Sequence, residues 1–520
     1  MSATHATIPV HNPANRETVG EIDRFNEAET ASAVERARTA QPRWAATSVS
    51  ERMKILRKFQ RLLCEKKDLV AATITGEAGK PSSEAVATEI LVVLDTVNFF
   101  LETVPAFLQP EDVPHGSVAM KMKRGRLLRE PYGVVAIISP WNYPFSIPAI
   151  QTLSALVTGN AVVLKPSEFT PISSLELQRL LFAAGLDRDL FQVVTGDGAT
   201  GAALLQSQID KVVFTGSVAT GKKVALAAAA RLLPVVLELG GKDPMIVLED
   251  ADVDIASSAA VWGAFMNAGQ TCLSIERCYV HQKIYEPFLK ACTEKAGRLK
   301  VGNGADSSTD VGPLIHQQQL KTVQSHVQDA LAQGARLLAG GEPLPQLGPS
   351  FYAPTILADV RHSMTIMREE TFGPVLPVRS FTTEDEAVDL ANDSEFGLAA
   401  SIWTGNRDRG EKLARRVQAG TVMVNDVIAC FGISEAPHGG IKGSGMGRTH
   451  GRFGLEEMVW PKYVDSDLMP KMKKLWWYGY GESFLGQMYG FIEVLFAKGL
   501  IKRTQGAIKS IQSYTRRKVL

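Results

Sequence analysis

From Tyr132 onward the chain repeats one pattern, a short run of β-branched and aliphatic residues, then a longer helical stretch, then another such run. The runs are "YGVVAIISP", "AVVLKPS", "LFQVVTG", "KVVFTGS" and "PVVLELGG". Strands buried on both faces read as continuous apolar runs, and parallel neighbours need a long crossover between them, usually a helix. The expectation is a parallel sheet of βαβ units whose strand ends form ligand crevices. A second α/β region follows Gly240, with "DPMIVLED", "ERCYVHQ", "GPVLPVRSF", "GLAASIWTG" and "GTVMVND" as its strands. Upstream, from about residue 26 to 108, apolar residues recur at three and four spacing, the signature of amphipathic helices. Between these regions "GSVAMKMKRGRLLREP" alternates like an exposed ribbon.

A chain of 520 residues with a 45% hydrophobic share can bury two or three cores. Its 56 basic and 55 acidic residues nearly cancel, so no global field recruits nucleic acid. The five cysteines, at 64, 272, 278, 292 and 430, show neither C-x-x-C spacing nor histidine pairs suited to zinc; no metal is expected, and the pattern fits reduced thiols in cytosol. "MSATHATIPVHNPANRETVGEI" has no basic leader and no apolar core of signal length.

Several segments carry candidate chemistry. "GSVATGKK", from Gly216 to Lys223, follows a strand and opens an alanine-rich helix, so its amides could hold a phosphate. It nearly matches a nucleotide-triphosphate loop, but Lys223 stands where a magnesium-binding hydroxyl belongs. In "AVVLKPSE", Lys165 and Glu168 end a strand; a carboxylate there suits a ribose hydroxyl pair and repels a ribose phosphate, although solvated strand-end charges would look the same. Cys272 in "MNAGQTCLSIERC" is a packing residue, a ligand or a nucleophile; papain-like chemistry would want a histidine partner and other flanks. Glu238 in "LELGGK" sits in an apolar strand end, where burial would raise its pKa into the range of a general base. Asn142 in "ISPWNYP" offers an amide donor to an oxyanion, or is a turn residue.

Taken together, "SPWNYP", "KPSE", "FTGS", "LELGGK", "GQTC" and "EETFGP" stand in the order and approximate spacing seen in the aldehyde dehydrogenase superfamily. The resemblance runs from "HNPANRETVGEI" to about "VWPKYV". It implies two Rossmann-like parallel-sheet α/β domains, a small β oligomerisation element and a helical tail. The implied boundaries are 1–108 with 131–239 for cofactor binding, 240–445 for catalysis, 109–130 with 446–470 for oligomerisation, and 471–520 as an extension. Cys272 then resembles the nucleophile, Glu238 the base that activates water, and Asn142 the oxyanion donor. Ser139, Trp141, Lys165, Glu168, Gly198, Gly216, Ser217, Gly221, Leu239, Glu370 and Phe372 resemble contacts to NAD, with NADP as the alternative. Because relatives that pass the acyl group to coenzyme A lack the glutamate, Glu238 implies hydrolysis to a free acid. The family's apolar residue before Gly-Gly reads His438 here; with Cys430 it is expected to border the aldehyde tunnel. "CLSIER" resembles a bacterial subgroup of broad aldehyde dehydrogenases, and relatives form homodimers or homotetramers.

Most such relatives end soon after "PKYV", whereas this chain continues for more than fifty residues. "LWWYGYGESFLGQMYGFIEVLFAKGLI" is dense in aromatic and aliphatic residues but carries Glu482, Glu493 and Lys498, so it is a poor spanning helix. After Glu493 no acidic residue follows, while Lys498, Lys502, Arg503, Lys509, Arg516, Arg517 and Lys518 do. An anchor on an anionic membrane and a cover for a neighbouring subunit remain equal expectations, with cytoplasmic localisation, peripheral at the inner membrane face in the first case. Membrane contact would suit medium or long aliphatic aldehydes. A membrane-tethered scaffold of the same fold without turnover is the competing reading.

Overall fold

A computed structural model describes residues 6–516. The chain forms two compact units, one of residues up to 109 with 129–461, the other of 110–128 with 462 onward. Arg517 and Lys518 lie outside the described residues.

The first unit holds two mainly parallel sheets. In the first, the strands run in the order Gly445–Met446, Val235–Glu238, Lys211–Thr215, Val134–Ile138, Ala161–Lys165, Phe191–Val193, all parallel except the short Gly445–Met446. The order reverses direction at Val134–Ile138, where chain crossovers leave on both sides and a crevice opens at the strand ends. Helices Glu27–Ala46 and Val49–Ala78 cover it, with Val34, Trp44, Phe59 and Leu63 buried in the same core. Asn26 starts the former through a complete capping box with Glu29. The apolar helical run Ser82–Phe107 is long enough to cross a membrane by composition, yet Val93, Val97, Phe100 and Val104 are buried in this core.

The second sheet runs Arg336–Ala339, Thr355–Ala358, Val375–Phe381, Ile275–His281, Asp243–Val247, Ala399–Trp403, Thr421–Val424, with only Arg336–Ala339 antiparallel. Its central strand Ile275–His281 is fully buried although its sequence IERCYVH carries charges, because Arg277 donates to the carbonyls of Lys242, Leu390 and Ala391 and Glu276 pairs with Lys242. The N-terminal hairpin Thr7–His11 with Thr18–Asp23 is an element that the alternation upstream of Tyr132 did not announce. Residues 446–461, which the resemblance assigns to the oligomerisation element, fold within the first unit, with Gly445–Met446 paired to Leu237 and Glu238.

In the second unit the alternating ribbon becomes strand Lys123–Pro131, antiparallel to Glu111–Val113 and joined by Val459–Asp467 in a three-stranded sheet. A Cβ on Gly125 would lie 2.5 Å from the Tyr463 hydroxyl, so only glycine admits the aromatic ring there. Two helices, Glu482–Phe496 and Leu500–Arg516, follow as an antiparallel hairpin.

Candidate active site

Cys272 lies on the loop between helix Val253–Phe265 and strand Ile275–His281. That loop turns through three consecutive left-handed residues, Asn267, Ala268 and Gly269 at φ 53°, 55° and 72°. For asparagine and alanine this conformation costs about 1 kcal/mol or more each, so neighbours must hold it. They do so with buried polar groups. Asn267 N–H donates to Glu84 Oε2 at 2.9 Å, and its side-chain amide donates to the carbonyls of Asn142 and Gln270. Gln270 Oε1 accepts from Ile315 N–H at 2.8 Å, and the Tyr143 hydroxyl bonds Thr271 Oγ1 at 2.9 Å. A Cβ on Gly269 would stand 2.1 Å from the Gly373 carbonyl oxygen, so glycine lets this loop touch the "EETFGP" loop.

Asn142 is buried, and one of its amide hydrogens goes to the Gln270 carbonyl at 3.0 Å. The "SPWNYP" loop is thereby tied to the peptide two residues before Cys272, and the second amide hydrogen remains for another acceptor. Glu238 ends the strand Val235–Glu238. Leu239, Gly240 and Gly241 then carry the chain past both loops. A Cβ on Gly241 would stand 2.5 Å from the Cys272 carbonyl, and one on Gly240 would stand 2.4 Å from Glu370 Oε2.

Two cavities have Cys272 in their walls. One, of about 20 Å³, has mixed walls: Glu238, Gln151, Thr215, His438, Thr449 and His450 bring polar groups to it, and Ile147, Ile150, Leu239, Leu398 and Phe431 close it with hydrocarbon. Neither Glu238 carboxylate oxygen has a hydrogen-bond partner, nor has His450 Nε2, and His438 Nε2 stands 3.9 Å from Glu238 Oε2. Burial pushes the Glu238 carboxyl well above its ordinary value; Glu457 adds to the shift and Arg448 opposes it. Burial likewise lowers His438 to about 4 and His450 to about 3, leaving both imidazoles neutral. The Cys272 thiol is raised well above its ordinary value, by burial first and then by the Asp243, Glu370 and Glu238 carboxylates.

The other cavity, of about 340 Å³, is apolar. Val92, Ile147, Met266, Leu273, Ile428 and Phe431 are among its walls. Leu91, Trp262 and Ile433, each about half exposed, bring it to the surface. Asp95 is its one charged wall residue. Cys430 does not border it, in contrast to the expectation from the sequence: that side chain is buried in the core of the second sheet. His438 lies on the small cavity instead of on this channel.

The cofactor candidates gather at the carboxyl edge of the first sheet. Lys165 pairs with Glu168 at 3.3 Å, and burial lowers the Lys165 pKa while Glu168 raises it. Glu168 lines a groove of about 520 Å³ together with Phe169, His316 and the N-terminal hairpin. Trp141 packs edge-on to Phe372 and His316. Gly216 follows strand Lys211–Thr215, and its N–H donates to the Glu238 carbonyl at 3.0 Å. Ser217 caps helix Val218–Ala229, and a Cβ on Gly221 in that helix would meet Leu239 at 2.4 Å. Ser139 Oγ is buried without a hydrogen-bond partner. An unpartnered hydroxyl, a capped helix start and a carboxylate in a groove fit a dinucleotide with free ribose hydroxyls. Gly198 opens helix Gly198–Gln206 under an Asp197 cap that also pairs with Arg24, and no cavity described above includes it.

Glu370 Oε1 accepts from Gly241 N–H at 3.0 Å, and burial with the nearby Glu276 raises Glu370 to about 8. Phe372 takes a left-handed φ of 51°, held because Glu276 accepts the Thr371 and Phe372 N–H groups at 2.7 and 2.8 Å and pairs with buried Lys242. Sequence reasoning missed Glu276 and Lys242 as supports, although both lie inside motifs it singled out, "CLSIER" and "LELGGK". It also missed His450, which carries no sequence signal beyond its place in "GRTHG".

A sequence profile described as "Aldehyde dehydrogenase family" matches residues 1–464. The chain is similar to "4,4'-diapolycopene aldehyde oxidase" of Methylomonas sp, 40% identical over 98% of this chain and 96% of that protein. It is similar to "Putative succinate-semialdehyde dehydrogenase [NADP(+)]" of Mycolicibacterium smegmatis, 40% identical over 86% and 85% of the two chains. Among solved structures it resembles an NAD-dependent aldehyde dehydrogenase from Sinorhizobium meliloti (TM-score 0.87, 37% identity, 91% and 93% covered). It also resembles the NAD+ complex of an aldehyde dehydrogenase from Bacillus cereus (TM-score 0.85, 35% identity, 89% and 94% covered).

Proposed function

This chain belongs to the aldehyde dehydrogenase family, and from that premise we propose that it oxidises an apolar, long-chain aliphatic aldehyde to the free acid with NAD, NADP being the alternative. The observation that carries the substrate class is the channel wall. Its walls are mainly apolar, with Thr88, Tyr143, Thr271 and Cys272 as neutral polar members; no lysine, arginine or histidine is among them, and its one charge is the Asp95 carboxylate. A carboxylated substrate such as succinate semialdehyde would bury its charge there without a partner and beside a like charge. A relative whose similarity covers 98% of this chain, the C-terminal extension included, is named for a diapolycopene aldehyde.

Cys272 gives its proton to solvent water, its Sγ adds to the carbonyl carbon as the C=O π bond breaks, and the oxygen becomes an anion. The free Asn142 amide hydrogen is the donor for that anion, placed by the Asn142 bond to Gln270. Lys165, Glu168, Ser139, Gly216, Ser217 and Trp141 would hold the dinucleotide, and Glu370 with Phe372 its nicotinamide end. A bound nicotinamide would supply the acceptor for the hydride on the carbon attached to sulfur. The thioester is then opened by water. The small cavity of about 20 Å³ has room for one water, and the unpartnered Glu238 oxygens and His450 Nε2 supply its hydrogen-bond partners. Glu238 in its carboxylate form takes the proton of that water as it attacks, and the thiol is released. Burial favours the protonated forms of both Glu238 and Cys272, so each must give up a proton for its step. The three-stranded sheet around Lys123–Pro131 is the element we assign to subunit bridging, giving a homodimer or homotetramer.

The test is reduced-cofactor absorbance across a series of linear aldehydes and succinate semialdehyde. The expected kcat/KM rises about fourfold per added methylene until the channel is filled, following ~0.8 kcal/mol per buried CH₂. A preference for succinate semialdehyde would overturn the substrate reading, and silence with every aldehyde would favour the scaffold without turnover.

A further inference from the structure

The C-terminal hairpin turns the usual order of a soluble helix pair inside out. Helices Glu482–Phe496 and Leu500–Arg516 meet through their smallest residues. A Cβ on Gly490 would stand 2.5 Å from the Gly506 carbonyl oxygen, and one on Gly486 would stand 2.5 Å from Ser513 Oγ. The residues buried in the pair are Gln487, Gly490, Gly506 and Ser510. The large apolar side chains point away from the contact. Leu485, Tyr489, Ile492 and Phe496 are exposed on the first helix, Phe496 to 76%. On the second, Leu500 and Ile501 are exposed to 82% and 76%, with Ile508 and Ile511 also outside. Small residues at the helix contact and large apolar ones at the periphery is the packing order of helices surrounded by lipid.

Length and charge say how such a hairpin would sit. At 15 and 17 residues neither helix reaches the roughly twenty needed to cross a bilayer. On the second helix Leu500, Ile508 and Ile511 share a face, while Lys502, Lys509 and Arg516, seven apart, share another. No acidic residue follows Glu493, so the basic stripe has no internal counter-charge in its own helix. Exposed Trp476, Tyr478 and Tyr480 lead into the hairpin, the amphipathic aromatics favoured at a membrane–water boundary. A second copy of this chain is the poorer occupant, because lysine is depleted from protein interfaces and this stripe would repel its own image.

We infer that the hairpin 482–516 is a peripheral docking surface for an anionic lipid bilayer, lying in the boundary with its leucines and isoleucines among acyl chains and its lysines on the headgroups. The inference stands on the hairpin alone; it deepens the substrate reading by bringing the enzyme to the phase in which an apolar aldehyde dissolves.

The experiment is co-sedimentation of the full-length protein with phosphatidylcholine vesicles, with and without phosphatidylserine, beside sedimentation velocity and turnover of a short water-soluble aldehyde. The expected result is binding to phosphatidylserine-containing vesicles that weakens as salt is raised. The double variant Ile508→Glu/Ile511→Glu should lower binding at least tenfold, and Lys502→Gln/Lys509→Gln about fivefold per lysine. Both should keep the wild-type rate on the short aldehyde, which separates lost docking from lost catalysis. Wild-type protein that stays unbound at low salt overturns the inference. So does an Ile508→Glu/Ile511→Glu variant that binds vesicles like wild type, or one that changes only the molar mass, which would assign the face to a second copy.

Discussion

Cys272 stands in the walls of two cavities that are made of different material. Toward Glu238 a carboxylate, two imidazoles, an amide and two hydroxyls share the walls with hydrocarbon around about 20 Å³; toward Leu91 and Trp262 the walls are mainly hydrocarbon around about 340 Å³, and Ile147 and Phe431 border both. The difference teaches how one sulfur can serve two half-reactions. On the proposed reading, the apolar side excludes water from a hydrocarbon chain and selects the aldehyde. On the same reading, the side toward Glu238 admits a water-sized guest and holds the group that activates it.

Removing the shared member should erase the contrast altogether. Cys272→Ala is expected to lower steady-state formation of reduced cofactor by ~10⁴-fold or more, measured by absorbance with a long-chain aldehyde. Disabling the Glu238 side alone should leave the first half-reaction running. Glu238→Gln is expected to lower kcat by ~10²–10³-fold while a rapid-mixing trace still shows a burst of reduced cofactor equal to the enzyme present. Absence of that burst would move Glu238 into the first half-reaction. Giving the apolar side a cation should blur the contrast from the other direction. Asp95→Arg is expected to raise kcat/KM for succinate semialdehyde by ~10-fold and to lower it for long aldehydes.

The smallest effect concerns stability. The folded His438 titrates near 4, below its ordinary 6.5, because burial and then Arg448 disfavour its charge. Between those values the unfolded chain binds a proton that the folded chain refuses, so stability is full above pH 6.5 and falls as pH drops toward 4. His438→Phe should remove ~1.4 kcal/mol per pH unit of that decline, read from urea midpoints across the window.

Much of this arrangement could be read from the chain. The alternation after Tyr132 announced both parallel sheets because a doubly buried strand leaves an unbroken apolar run, as in "VVAII" and "VVLE". The "LELGGK" and "GQTC" segments were legible because Glu238 ends an apolar strand and both stand in register with the other family motifs; the structure adds that Gly240, Gly241 and Gly269 meet Glu370, the Cys272 carbonyl and Gly373. What stayed hidden depends on partners far along the chain. The N-terminal hairpin that walls the Glu168 groove carries no long periodic signal. Gln270 reaches Ile315 and Glu276 reaches Lys242, pairings that no local pattern encodes. His450 enters the small cavity from a backbone at φ 61° and ψ 163°, a region almost confined to glycine.

The lone Asp95 in the channel wall also gives the reaction a direction of traffic. On the proposed reaction the guest enters as a neutral aldehyde and leaves as an anion, because hydrolysis would create a carboxylate at the inner end of the same passage. A passage that lacks cations and carries one negative charge holds the outgoing acid less tightly than the incoming aldehyde. Inhibition by added fatty acid is therefore expected to be weak even for chain lengths whose aldehydes bind well, so that accumulated acid does not stall the enzyme.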